Sequence, residues 1–279
     1  MRLPRPLFVG AGIAGTLFLF LVLTICFVPD PELQAVAARA LQQEGYTLHA
    51  AHFGKALPLG LKAADLEISD DRGVLLKAQQ ASFRLSLLPL LTGKLVLACR
   101  VAIGTGQAVA DYSLRDGETR IEINGIRLED LPFIQTVTGA RGKGDARLHG
   151  RFKAKGKNAG GELQLEIKGA NVTGVKIGEI PLPDADYRTV QGMVRASSGA
   201  INLESFTLEG EGLYVRLKGG LPLTTPLGAA PLNLTLELMP KPDFLERQKF
   251  VFLLLTKYLT TPGRYEIPIR GTLAKPAIQ

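Results

Sequence analysis

The sequence predicts a mainly β protein: one N-terminal transmembrane helix, then a curved antiparallel β-sheet, groove or partly open barrel, with a few short helices. Three observations carry this. Residues 7–28, LFVGAGIAGTLFLFLVLTICFV, hold no charge, and a run of that length crosses the ~30 Å hydrocarbon core as a helix. From Tyr46 onward the apolar period changes to two, the period of a strand with one buried face. The chain carries 31 Gly and 17 Pro, no Trp and 6% aromatic residues, a composition suited to many short strands joined by turns.

The anchor comes first. Leu7, Phe8, Leu17, Phe18, Leu21 and Val28 are its lipid-facing candidates, Arg2 and Arg5 precede it, and Asp30 and Glu32 follow it. The positive-inside rule then leaves the N-terminus in the cytoplasm and carries the main domain across the membrane, into the periplasm of a bacterium. The run exceeds the ~7–15 apolar residues of a cleaved signal peptide, although the small residues between Ala35 and Ala40 offer a cleavage site. The division is therefore 1–29 stub and anchor, 30–45 linking helix, and 46–279 exported β domain.

In the linking helix Asp30 caps, Pro31 takes the first turn, and Leu33, Val36, Ala37, Ala40 and Leu41 form one face. Strands follow: Leu66 and Ile68, then Phe83, Leu85 and Leu87, then Leu95, Leu97, Cys99, Val101 and Ile103. Turns are expected at Asp70-Asp71-Arg72-Gly73, Thr92-Gly93 and Gly104-Thr105-Gly106, and hairpin turns at Asp116-Gly117 and Asn124-Gly125. Leu131-Pro132-Phe133-Ile134 breaks the pattern and predicts a short helix or turn at a waist near 131–140.

The next strand is strongly basic on one parity: Arg147, Arg151, Lys153, Lys155 and Lys157 form a candidate headgroup or partner stripe, with Glu162 and Glu166 returning opposite it. Neutralisation across that hairpin is the simpler account. A parity flip predicts a bulge near Glu204-Ser205. Pro240-Lys241-Pro242 stops the row Leu232, Leu234, Leu236, Leu238, and an amphipathic helix follows over 243–260, with Asp243 and Glu246 at capping-box spacing. Its run Phe250 to Leu255 is too short to span a bilayer, so it plugs the sheet or lies at an interface. Tyr265 to Leu273 is the last strand.

No catalytic, cofactor-binding or metal-ligating constellation stands out, so the sequence reads as non-enzymatic and without a cofactor. His49 and His52, three apart in a strand, are expected on opposite faces. Cys99 has no partner for a disulfide outside the anchor. The formal charge of +7 suits anionic lipid or acidic proteins, and an exported domain meets no nucleic acid.

Three stretches carry a resemblance. Phe83 to Leu95 (FRLSLLPLLTGKL), Leu203 to Gly210 running to Leu217-Lys218-Gly219-Gly220-Leu221, and Ile267 to Pro276 resemble the strand and turn patterns of AsmA-like envelope proteins. The length and single anchor bring the chain nearest to the type II secretion system protein N (GspN) family. The resemblance implies an inner-membrane accessory of the type II protein secretion system, with the lipid bilayer and other secretion subunits as partners. Two functions stay open: a periplasmic scaffold, or a lipid-handling module that holds phospholipid on its apolar rows and uses the basic stripe for headgroups. The row Leu97, Leu165, Val215 and Leu236 is either packed core or lipid site.

Overall fold

The protein is described from a computed structural model, which covers residues 28–279 except 44, 57–58, 87–88, 90–92, 94, 154–159, 178–179, 198, 224–228, 274 and 279. The expected anchor residues Leu7, Phe8, Leu17, Phe18 and Leu21 lie outside the described residues. Among those described, no helix is long and apolar enough to cross a membrane.

The chain opens with helix α1 (Asp30–Gln43) and then runs as a meander. Its strands are β1 (Thr47–Lys55), β2 (Gly60–Asp70), β3 (Gly73–Ser86), β4 (Val96–Ile103), β5 (Gly106–Ser113) and β6 (Glu118–Arg127). Helix α2 (Pro132–Thr138) precedes β7 (Arg141–Lys153) and β8 (Gly160–Thr173), and the two-residue strands β9 (Lys176–Ile177) and β10 (Ile180–Pro181) make a small ladder of their own. Then come β11 (Ala185–Ser197), β12 (Ala200–Gly210), β13 (Leu213–Pro222) and β14 (Asn233–Pro240). Helices α3 (Pro242–Arg247) and α4 (Lys249–Leu254) lead to β15 (Leu259–Thr261), β16 (Arg264–Gly271) and β17 (Pro276–Ile278).

From β1 to β14 every strand of the large sheet pairs antiparallel with the sheet strand that follows it in the chain, and β16 then pairs with β14, β15 and β17. Short turns permit only this antiparallel order. At the β2–β3 turn the Asp70 carboxylate accepts the backbone N–H of Arg72 at 2.9 Å and of Gly73 at 3.2 Å, and the Arg72 guanidinium at 2.7 Å. Burial alone would raise the Asp70 pKa, but these bonds to Arg72 and Gly73 hold it below its ordinary value. At the β5–β6 turn Gly117 adopts φ 64° and donates to the Ser113 carbonyl at 2.8 Å, as expected of Asp-Gly.

The sheet bends strongly. Helix α2, adjoining β7, also packs on β3, where the Thr136 hydroxyl donates to the Val74 carbonyl at 2.6 Å. Strands β3 and β7 are four places apart in the order, a separation of about 19 Å along the sheet, so one short helix reaches both only because the sheet curves beneath it.

Several expectations need correction. Asn124-Gly125 does not turn the chain: it lies inside β6, where the register slips between Ile123 and Ile126 and Gly125 takes φ 65°. A hairpin dipeptide also serves a bulge, because both need a residue at positive φ. Helix α1 does pack on β1, the start of the sheet, with Leu33, Ala37 and Leu41 half-buried and Val36 61% exposed. The helix expected over 243–260 is broken at Gln248 (φ −114°) into α3 and α4, followed by a 3-10 turn, Thr256–Tyr258. Its N-cap is Lys241 with no side-chain cap, so the Asp243 and Glu246 spacing is unused. The bulge near Glu204-Ser205 is present, with slips on both sides of β12.

Candidate functional site

Cross-strand register turns the alternation of individual strands into continuous rows. One row runs Phe53, Ala63, Ala81, Val101, Ala108, Ile123, Leu148, Leu165, Gly192, Phe206, Leu217, Leu236, Ile267. All thirteen strands it crosses therefore put apolar atoms on one face. The small residues Ala63, Ala81 and Ala108 fall among the early strands, where the sheet curls toward α2 and bulky side chains would collide.

A second row runs parallel to it: Phe83, Cys99, Ala110, Ile121, Gly150, Leu163, Val194, Leu203. Leu85, Leu97, Tyr112, Thr119 and Phe152 make a third. Burial raises the pKa of the Cys99 thiol, as desolvation disfavours a thiolate on this face.

What covers this face changes along the sheet. Over the last strands, Phe244, Phe252, Leu255 and Tyr258 from α3, α4 and the 3-10 turn close on Leu213, Val215, Leu238, Tyr265 and Ile267. Phe252 packs against Tyr265 with rings tilted 45° at a centroid distance of 5.1 Å and meets Phe244 edge-on at 6.2 Å. Over the first strands, a buried cluster lies at the margin beside α2, where Ala63, Leu66, Ala78, Ala81, Ile103 and Ile126 pack with Leu131, and Ala56 and Leu59 are buried at the β1–β2 turn. Away from that margin Phe83 is 53% exposed and Leu95 and Leu97 are each 41% exposed.

The four row residues singled out in the sequence thus share one face but not one environment. Val215 and Leu236 are packed core at 5% and 7% exposure, Leu165 is half-buried, and Leu97 stands open.

The basic stripe lies on the opposite face. Arg147, Arg151 and Lys153 are exposed on the outer parity of β7, with Arg147 registered against Glu166 and Arg151 against Glu162. Lys155 and Lys157 lie outside the described residues. Each arginine therefore lies opposite a glutamate in register, while the Glu166 carboxylate itself pairs with Lys168 at 3.6 Å. The stripe is separated from the apolar rows by the thickness of the sheet.

Sequence reasoning also missed a hollow of about 720 Å³ on the polar face of the first five strands, lined among others by His52, Lys62, Arg84 and Arg100. Three cations from three strands, Lys62, Arg84 and Arg100, converge with His52 only through register: Lys62 lies opposite Ser82, which lies opposite Arg100. His49 and His52 are both exposed on this polar face, because the pairing skips Ala51 and Asp65, the latter at φ 50°. That irregularity resets the parity on which opposite faces were expected. Among the described residues, no group of His, Cys, Asp or Glu is placed to hold a metal.

The strongest buried charge is Glu237, 1% exposed on the outer parity of β14. It is clamped by Lys218 and by Arg264, the latter at 3.1 Å. Burial pushes its pKa up, but the bond to Lys218 and the charges of Lys218 and Arg264 outweigh that and hold it below the ordinary carboxylate value. This cluster ties β13, β14 and β16 together behind the apolar face.

No family model, curated protein or solved structure matches the chain.

Proposed function

We propose that this chain is a non-enzymatic, single-pass accessory of the type II secretion machinery in the bacterial inner membrane, with its N-terminus in the cytoplasm and its sheet in the periplasm. In this reading the sheet is an AsmA-like trough whose apolar face holds phospholipid acyl chains. The resemblance and the charge-free run 7–28 support the place. The observation that carries the chemistry is the apolar face, continuous across thirteen strands yet open beside β3 and β4, where Phe83, Leu95 and Leu97, flanking the row, meet solvent. Monomeric surfaces rarely leave such contiguous apolar area uncovered. From β3 to β12 the row is about 34 Å long, roughly twice the ~15 Å half-thickness of a bilayer's hydrocarbon core, which is ample for an acyl chain.

A scaffold role is the second reading. It is favoured by β1, a nine-residue strand that ends the sheet order and offers an edge to which another subunit can add a strand.

Site-specific photocrosslinking in intact bacteria tests the choice. A benzophenone side chain at Phe83 or Leu97 is expected to capture lipid, and one at Arg147, on the outer face, is not. Protein adducts at β1 with no lipid adduct at Phe83 or Leu97 would overturn the trough in favour of the scaffold.

A further inference from the structure

The most exposed large apolar group among the described residues is Phe250, at 86%, and it is not alone: Leu253 and Leu254, on the same six-residue helix α4, are 58% and 60% exposed. The break at Gln248 explains why. Gln248 bonds the Asp184 carbonyl at 2.5 Å through its side-chain amide, pinning the chain so that Phe252 and Leu255 point into the sheet at 2% and 0% exposure. With 100° between successive helical residues, fixing those two inward turns Phe250, Leu253 and Leu254 outward. The run Phe250–Leu255 therefore contributes Phe252, Leu255 and the half-buried Val251 to the cover and leaves three residues as an apolar knob.

The charges around the knob are of one sign along the chain. Arg247, Lys249 and Lys257 flank it, all exposed, and no Asp or Glu occurs from 247 to 265. Asp184, Asp186 and Glu211 share a cleft of about 580 Å³ with Arg247 and Phe250 on the α3 side. Two of these are engaged: Asp184 accepts the Gly174 N–H at 2.7 Å and Asp186 accepts the Asn171 amide at 2.5 Å. Apolar side chains projecting between lysines are the pattern of an element that dips into a bilayer interface while its cations meet lipid phosphates.

We propose that α4 is a wedge that inserts Phe250, Leu253 and Leu254 into the interfacial region of an anionic phospholipid bilayer. It gives the exported domain a second membrane contact. Strand β1, next to α1 and the expected anchor, and β16, next to the wedge, stand twelve strand spacings apart, roughly 60 Å along the sheet. Gripping the bilayer at both ends lays the sheet along the membrane. The wedge is independent of the trough, since Phe250 points away from the apolar face that α4 covers.

The chain contains no tryptophan and six tyrosines, so Phe250→Trp introduces a single tryptophan, excited selectively at the red edge, at an exposed site that folding does not depend on. The full chain carrying this change, in nanodiscs containing phosphatidylglycerol and brominated phospholipid, should show emission shifted to shorter wavelength and quenched by bromine. Phe133→Trp, on α2 and also exposed, should show neither. Adding Lys249→Glu and Lys257→Glu to Phe250→Trp should relieve the quenching, as should phosphatidylcholine alone. Water-like, unquenched emission from Phe250→Trp overturns the proposal, as does equal quenching at both positions or quenching indifferent to charge. A tryptophan exposed in nanodiscs yet shielded in native membranes also overturns it, and assigns the knob to a protein partner.

Discussion

Replacing Leu97 and Leu236 by asparagine, one at a time, separates an open apolar face from a packed one. Leu236 is 7% exposed and sits in register between Leu217 and Ile267, the latter fully buried. Leu236→Asn forfeits about 1.5–3 kcal/mol of apolar burial and strands an amide, which costs about 1–3 kcal/mol more. Leu97 is already 41% exposed, so Leu97→Asn forfeits only about 1–2 kcal/mol of burial, and its amide finds water. The two variants should therefore differ by about 2–4 kcal/mol. With a urea slope of about 2–3 kcal/mol per molar, that is a gap of about 1 M in midpoint. Circular dichroism of the full chain in detergent during urea titration reads it directly. Equal losses at the two positions would mean that the face near β4 is as tightly packed as the face under α3 and α4, and would refute the reasoning that makes it a trough.

Other outcomes follow from the same geometry. Glu237→Ala should cost about 1–3 kcal/mol, the worth of charge-assisted bonds from Lys218 and Arg264, measured by the same titration. Because the folded Glu237 pKa is lowered, its stabilisation is complete above the ordinary value of 4.5 and is lost as pH falls through the folded pKa. The wild-type midpoint should thus fall more steeply below pH 4.5 than that of Glu237→Gln, and parallel pH profiles would remove Glu237 from the account of acid sensitivity. Gly106→Ala should destabilise by about 1–3 kcal/mol, since its Cβ would stand 2.4 Å from the backbone of Gly125, which cannot swing aside; thermal unfolding checks it. Phe83→Ser should strip co-purifying lipid while Arg147→Ser leaves it in place, as lipid extraction from matched preparations would show.

Much of the fold was legible in the chain because a period of two is a local signal. The alternation in Leu232 to Leu238, the Asp116-Gly117 turn, the bulge at Glu204-Ser205 and the Pro132 helix with its Gly139 cap all follow from residues within a few positions of one another. Parity also told which residues share a face, and Leu97, Leu165, Val215 and Leu236 do. It was silent on what lies over that face. Coverage of Leu236 depends on Phe252 and Leu255 arriving from the α4 segment, and exposure of Leu97 on no element arriving among the described residues, so packed core and open surface carry the same alternating signature. Helix continuity from Phe244 to Leu259 failed for a related reason: the break at Gln248 is fixed by a bond to the distant Asp184 carbonyl, which no local pattern records. The hollow lined by His52, Lys62, Arg84 and Arg100 likewise exists only once four strands are in register.

Native mass spectrometry of the full chain, extracted from membranes in gentle detergent and paired with organic extraction of its contents, tests the central claim most directly. The trough predicts phospholipid retained in reproducible stoichiometry and lost from Leu97→Asn and Phe83→Ser but not from Arg151→Glu. A folded, lipid-free chain, or lipid equally retained by all these variants, would contradict it.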